Sequence, residues 1–137
     1  MTKLNSIYII DDDPITVFGI KKMLKTIVEC PNVKTFENGK LALDQIMDEL
    51  RKGIQPPEVI FLDINMPIMD GWEFLEELLK LDIKEKIIIN VVTSSIDTSD
   101  YQRWNKFRIN CLHYLNYKNK PIFSIEPTDL KRINLAS

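Results

Sequence analysis

Short apolar runs alternate with amphipathic segments along the chain. Five of the runs are rich in β-branched and aromatic residues, which favours strands over pieces of buried helix. They cover residues 7–10, 33–36, 59–62, 87–92 and 111–115. Three of them are apolar almost throughout, as expected for parallel strands that are covered on both faces. The run at 33–36 alternates instead, which predicts a strand at an edge of the sheet.

Between these runs, apolar residues recur three or four positions apart, which is the spacing of one face of a helix. The first three stripes consist of Val17, Ile20, Leu24, Ile27 and Val28, then Leu43, Ile46, Met47 and Leu50, then Phe74, Leu75, Leu78 and Leu79. A weaker fourth helix is expected near 98–108, anchored by Tyr101, Trp104 and Phe107, and a last one from about 127 to 136. Asp13 followed by Pro14 predicts the N-terminus of the first helix.

Five successive strand-then-helix units predict one α/β domain over residues 1–137, a doubly wound parallel sheet with helices on both faces. Lys and Arg number 18 against 20 Asp and Glu, so the chain lacks the basic surplus of a nucleic-acid binder. No apolar run reaches the length of a membrane span, and the apolar run near the N-terminus, residues 7–10, is too short for a secretion signal. Two cysteines, Cys30 and Cys111, follow no metal-binding spacing. We therefore expect a cytoplasmic domain with no nucleic-acid or membrane partner.

Polar side chains follow the predicted strands, at the sheet edge where ligands bind in doubly wound folds. They are Asp11, Asp12 and Asp13 after the first strand, Asp63 after the third, Thr93 after the fourth, and Lys118 and Lys120 beyond the fifth. If the first and third strands are neighbours, their carboxylates converge and need a cation such as Mg²⁺, which prefers oxygen ligands. A hydroxyl and an ammonium group facing that cation suit a phosphoryl group, and a carboxylate can accept one as an aspartyl-phosphate.

Short motifs stand at or near the ends of the predicted strands: 9–12 (IIDD), 62–67 (LDINMP), 69–71 (MDG), 92–94 (VTS) and 120–121 (KP). With these motifs the sequence resembles the receiver domain of bacterial two-component response regulators over nearly its whole length. Each stretch alone is a weak signal, but all of them in this order at strand ends are specific. The resemblance implies the flavodoxin-like strand order 2-1-3-4-5, which is a known order for this kind of fold.

The resemblance also implies a role for each matching residue. Asp63 matches the phosphoacceptor, and Asp11 and Asp12 match the acidic pair that holds Mg²⁺ together with Asp63. Asn65 matches the position whose backbone carbonyl completes the metal site. Asp13 is left over, and we assign it to the helix cap because Pro14 follows it.

Two further roles concern the fourth and fifth strands. Thr93 matches the hydroxyl that turns toward the phosphoryl group, and Lys120 matches the lysine that pairs with it. The segment around Tyr114 and Tyr117 is about two residues longer than the family's usual spacing. The phosphate lysine can therefore be Lys120 or Lys118, and the switch aromatic can be Tyr114 or Tyr117.

These residues favour a phosphorylatable switch that takes a phosphoryl group on Asp63 from a histidine kinase or phosphotransfer protein, with Mg²⁺. Its output would pass through protein contacts, because the chain stops soon after Lys120 and resembles a stand-alone receiver. One alternative is a phosphatase with an aspartyl nucleophile, but such enzymes need an acid two residues after it, where Asn65 stands. Another is an unphosphorylated scaffold, against which the intact acidic residues argue.

Overall fold

The computed structural model describes residues 1–131, and its centre is a five-stranded parallel sheet. The strands are β1 Ser6–Ile10, β2 Asn32–Phe36, β3 Val59–Asp63, β4 Ile88–Thr93 and β5 Tyr114–Asn119. Their order across the sheet is β2-β1-β3-β4-β5, and every neighbouring pair is parallel. The predicted order is confirmed, and the alternating strand β2 lies at an edge as expected.

Four α-helices connect the strands, and each begins after a side chain that caps it. The helices are α1 Pro14–Ile27, α2 Gly39–Arg51, α3 Gly71–Leu78 and α4 Thr98–Asn110. The caps are Asp13, Asn38, Asp70 and Asp97, and each accepts a hydrogen bond from a backbone N–H in the first turn of its helix. These bonds satisfy donors that a helix start leaves unpaired. No helix within residues 1–131 is long and apolar enough to cross a membrane.

The sheet is covered on both faces, which confirms the predicted doubly wound architecture. On one face, Ile20 and Leu24 of α1 pack with Leu130 against the strands. On the other face, the apolar residues of α2 and α3 pack against the strands, with Trp104 and Phe107 of α4 packed against this core. Two stripe residues behave differently from the prediction. Val28 follows the last residue of α1 and pairs with Thr2 in a separate short two-stranded sheet, and Met47 is 41% exposed.

The fifth strand begins three residues later than predicted. Cys111 to His113 form the turn before it, although they carry most of the apolar run. In that turn the buried His113 Nδ1 accepts a hydrogen bond from Ile87 N at 3.0 Å. The strand itself is the more polar stretch that follows, which suits an edge position. As a result, Lys120 stands directly after the end of β5.

The predicted last helix is not α-helical where the structure describes it. Residues Pro127–Asp129 form a single 3₁₀ turn, and the part of the prediction beyond Lys131 lies outside the described residues. The turn is tied to the sheet by polar groups, because Asn90 Nδ2 donates to Asp129 O at 2.9 Å. The Lys118 ammonium also lies 2.8 Å from Asp129 Oδ2.

Candidate functional site

Three carboxylates meet at the carboxyl ends of β1 and β3. Asp11 and Asp12 directly follow β1, and Asp63 is the last residue of the neighbouring strand β3. One oxygen from each lies within 4.8 Å of the others. Asp11 and Asp63 are buried, whereas Asp12 is exposed. The structure thus brings together the three acids that the sequence singled out.

Backbone hydrogen bonds fix the two buried acids. Asp11 N donates to Phe36 O at 2.9 Å, which extends the pairing of β1 with β2 beyond the strand. Asp11 Oδ1 accepts from Asp13 N at 2.9 Å, and Asp63 Oδ1 accepts from Asn65 N at 3.3 Å. The Asp13 carboxylate itself accepts from Ile15 N at 3.0 Å, which confirms its assignment as the cap of α1.

The loop that follows Asp63 returns close to it at Gly71. The Gly71 N–H donates to Ile64 O at 2.9 Å, and a Cβ at Gly71 would lie only 2.5 Å from Asp63 O. A side chain at position 71 therefore forces the backbone of Asp63 or of the loop to shift. The Asp70-Gly71 pair of the sequence motif thus caps α3 and lets that helix begin against the site.

Lys120 is the lysine that enters the acidic cluster. Its Nζ lies 3.0 Å from Asp11 Oδ2 and 3.6 Å from Asp63 Oδ1. Its backbone N–H donates to Thr93 O at 2.8 Å, which holds the chain after β5 against β4. The following peptide bond to Pro121 is cis. Lys118, the alternative, instead pairs with Asp129 on the C-terminal segment.

Thr93 ends β4 with its side chain fully buried. It lies one residue beyond Val92, which is the register partner of Asp63, so both residues reach the same edge of the sheet. The Thr93 hydroxyl accepts a hydrogen bond from Ser95 N at 3.0 Å. The side chain of Asn65 is exposed, and its backbone N–H donates to Asp63 Oδ1.

The two candidate aromatic residues of β5 face different neighbours. The Tyr117 ring lies 5.5 Å from that of Tyr101 and 5.6 Å from that of Trp104, so it contacts α4. Tyr114 packs instead into the core on the side of α1, with Lys86 Nζ 5.2 Å from its ring centroid. Of the two, Tyr117 is the one that connects β5 to a helix beside the site.

The electrostatics of the cluster reflect burial and like charge. Burial first, and then the charge of Asp11, raise the pKa of Asp63 to about 7. The positive charge of Lys120 and the N–H of Asn65 act in the opposite direction. Burial tends to lower the pKa of Lys120, but its hydrogen bond to Asp11 and the nearby acidic charges outweigh it and raise that pKa. The site therefore keeps its lysine charged beside the carboxyl groups of Asp11 and Asp63.

Comparison with known proteins assigns this arrangement to a family. Residues 7–112 match the family described as the response regulator receiver domain. The chain belongs to that family. The match begins in β1 and spans the acid pair, Asp63 and Thr93 of this receiver domain, whereas Lys120 lies beyond its end.

Similar proteins agree with the fold. The receiver domain is 27% identical over 137 residues to the regulatory protein AtoC of Escherichia coli strain K12, and the aligned region covers 98% of this chain. It spans only 25% of AtoC. A two-component response regulator from Cytophaga hutchinsonii superimposes with a TM-score of 0.71 at 25% identity, covering 89% of this chain and 90% of that one. The phosphorylated cyanobacterial phytochrome response regulator RcpA gives 0.70 at 24% identity, with 88% and 83% covered.

One polar contact beside the site was missed by the sequence analysis. Asn119 Nδ2 donates to Ser95 O at 2.9 Å, across 24 residues of sequence. A single asparagine next to Lys120 belongs to none of the motifs that carry the resemblance. The only signal for this contact is that an amide donor ends β5 where a serine-containing loop leaves β4.

Proposed function

We propose that this receiver domain is a phosphorylatable signalling switch that accepts a phosphoryl group on Asp63. The observation that carries the proposal is the position of the Asp63 carboxylate, which is buried between two other acids and 3.6 Å from the Lys120 ammonium. An oxygen of this carboxylate attacks phosphorus and forms an acyl phosphate, while the donor's leaving group departs. The donor is a histidine kinase or a phosphotransfer protein, as for other members of the family.

The donor atoms suit a divalent metal ion that prefers oxygen. The three acids Asp11, Asp12 and Asp63 each offer a carboxylate oxygen, and the backbone carbonyl of Asn65 is the fourth candidate ligand. Oxygen donors of this kind fit Mg²⁺ and do not fit a soft metal. When bound, Mg²⁺ supplies positive charge that offsets the repulsion between the phosphoryl oxygens and the acids.

Thr93 and Lys120 are the groups that we propose respond to phosphorylation. The Thr93 hydroxyl donates a hydrogen bond to a phosphoryl oxygen. Lys120 exchanges its contacts with Asp11 and Asp63 for a charge-assisted hydrogen bond to another phosphoryl oxygen. Both changes act on the ends of β4 and β5, which are joined there by the bond from Lys120 N to Thr93 O.

The output passes to a protein partner through α4 and β5. Capture of the phosphoryl group by Thr93 draws the end of β4 inward, and the Tyr117 ring changes its contact with α4. Tyr101, which touches Tyr117, is 53% exposed, and Arg108 lies over the Trp104 ring with its carbon Cζ 5.4 Å from the centroid. Tyr, Trp and Arg are residue types enriched at binding hot spots. The proposal includes a cytoplasmic location, the usual one for receiver domains.

Incubation with acetyl phosphate and Mg²⁺, followed by intact mass measurement, tests the proposal. We expect the parent chain to gain one phosphoryl group and Asp63→Asn to gain none, because an amide keeps the shape but does not attack phosphorus. Asp44→Asn, which changes an exposed acid of α2, is the matched control and should label like the parent. Equal labelling of Asp63→Asn would place the acceptor elsewhere. Steady hydrolysis of phosphate esters would instead favour the aspartyl phosphatase.

A further inference from the structure

Within residues 1–131, one side-chain hydrogen bond from a distant part of the chain reaches the loop between β4 and α4. That bond runs from Asn119 Nδ2 to Ser95 O. The loop's other side-chain bonds are local, since Thr93 Oγ1 accepts from Ser95 N and Ser95 Oγ accepts from Asp97 N. Asn119 is thus the side chain that ties this loop to β5.

The loop has little packing to fix it otherwise. Ser94, Ile96 and Asp97 are exposed, and the Ile96 side chain is 94% exposed. Segments with few buried contacts open and shift at low free-energy cost. The hydrogen bond from Asn119 to Ser95 O is therefore important for fixing the position of Ser95.

The position of Ser95 decides how the Thr93 hydroxyl can act. A hydroxyl has one hydrogen to donate and two lone pairs that accept. The Ser95 N–H occupies one lone pair of Thr93 Oγ1 at 3.0 Å, so the hydroxyl hydrogen points away from Ser95. A shift of the loop removes this constraint and lets the hydroxyl rotate.

We propose that Asn119 is a positioning residue for Thr93. By holding the Ser95 carbonyl, it keeps the Ser95 amide in place, and that amide orients the Thr93 hydroxyl for the phosphoryl group on Asp63. The inference rests on the proposed function. It adds a residue that touches neither the phosphoryl group nor the metal ion and acts through two hydrogen bonds.

A double-mutant cycle on the rate of labelling by acetyl phosphate with Mg²⁺ tests this role. The variants are Asn119→Ala, Thr93→Val, which keeps the shape of the side chain without the hydroxyl, and the two combined. Asn110→Ala is the matched control, because its amide donates to Lys106 O within α4, at the far end from the site. Thermal melts of all variants give the structural effect separately from the rate.

Asn119→Ala alone should slow labelling about 2- to 10-fold, as expected for the loss of one ordinary hydrogen bond. In the Thr93→Val background the same change should have no further effect, and Asn110→Ala should label at the parental rate. A parental rate for Asn119→Ala would overturn the inference. An equal slowing in both backgrounds would also overturn it, because Asn119 would then act independently of Thr93. Absence of labelling in the parent chain would contradict the proposed function itself and this inference with it.

Discussion

At the scale of single residues, Ile68 adopts a left-handed backbone conformation, with φ of 73°. It is the one residue other than glycine with positive φ among residues 1–131. A β-branched side chain makes this conformation costly, and the side chain is 80% exposed, so packing does not compensate. The turn is held by its neighbours, because Met69 N donates to Pro67 O and Met69 O accepts from Gly39 N.

Replacing Ile68 by asparagine should therefore stabilise the protein. Asparagine tolerates the left-handed region better, and we expect a gain of about 1 kcal/mol in the free energy of unfolding. Denaturant unfolding measures it, with Ile96→Asn as the control. Ile96 is also an exposed isoleucine in a loop beside the site, but its φ is not positive. The same change in both variants would show that strain at Ile68 is not the cause.

Replacing Lys118, which lies in β5, and replacing Lys120, which follows β5, should have different effects. Lys120→Ala should abolish the change in tryptophan fluorescence that phosphorylation causes, because no ammonium then moves to the phosphoryl group. Lys118→Ala should keep that change but destabilise the fold by on the order of 1–3 kcal/mol, since the buried Asp129 carboxylate loses its ammonium partner and keeps the Glu126 N–H. The response is measured in a Trp72→Phe background, where the fluorescence comes from Trp104, which contacts Tyr117. Loss of the response only in Lys118→Ala would reverse the assignment.

At the scale of elements, the turn before β5 depends on the protonation of His113. Its buried Nδ1 accepts from Ile87 N, so this nitrogen carries no proton in the folded state. Burial first, and then the charge of Lys86, lower the pKa of His113 below its usual value of 6.5. The unfolded chain therefore binds a proton at a higher pH than the folded chain does. The stability that His113 contributes is fully present above about pH 6.5 and is lost as pH falls toward its folded-state pKa.

His113→Gln should remove this pH dependence. The glutamine carbonyl can still accept a hydrogen bond but does not titrate, so the variant should lose less stability than the parent between about pH 7 and pH 5. The raised pKa of Asp63 acts with the opposite sign, but it is present in both proteins and cancels in the comparison. Unfolding measured at both pH values checks the prediction. Parallel loss of stability in the two proteins would contradict it.

The elements that were predicted well from the sequence are those whose own residues show a clear hydrophobic pattern. Strands β1, β3 and β4 are continuous apolar runs, and the acids that follow them stand at the ends that a parallel sheet brings together. Strand β5 and the C-terminal segment were predicted poorly for the converse reason. Strand β5 is polar, and the 3₁₀ turn is held against the sheet by bonds from Asn90 and Lys118 to Asp129, which the local sequence pattern does not indicate. The contact of Asn119 with Ser95 escaped prediction in the same way.

At the scale of the whole molecule, the hydrophobic sheet holds like charges together at one edge. The strands are fixed by their cores and hold the three acids close to one another. The folded state therefore carries electrostatic repulsion that binding of a cation relieves. Ligands that bind only the folded state stabilise it by mass action.

Mg²⁺ should accordingly raise the melting temperature of the parent chain. In EDTA, Asp12→Asn should melt at a higher temperature than the parent, because one of the like charges acting on Asp63 is gone. The upward shift with excess Mg²⁺ should be smaller for the variant, because it lacks one of the three carboxylates proposed to bind the ion. Thermal melts of both proteins under both conditions measure these shifts. A lower midpoint in EDTA with an unchanged Mg²⁺ shift would remove Asp12 from the metal site.

The chemical identity of the phosphorylated residue is the most direct test of the central claim. After phosphorylation by acetyl phosphate with Mg²⁺, borohydride reduces an aspartyl-phosphate to homoserine, and peptide mass analysis locates the changed residue. We predict homoserine at position 63 and unchanged aspartate at Asp11, Asp12 and Asp13. Homoserine at one of those three positions, or a phosphoryl group that resists borohydride, would contradict the assignment of Asp63 as the phosphoacceptor.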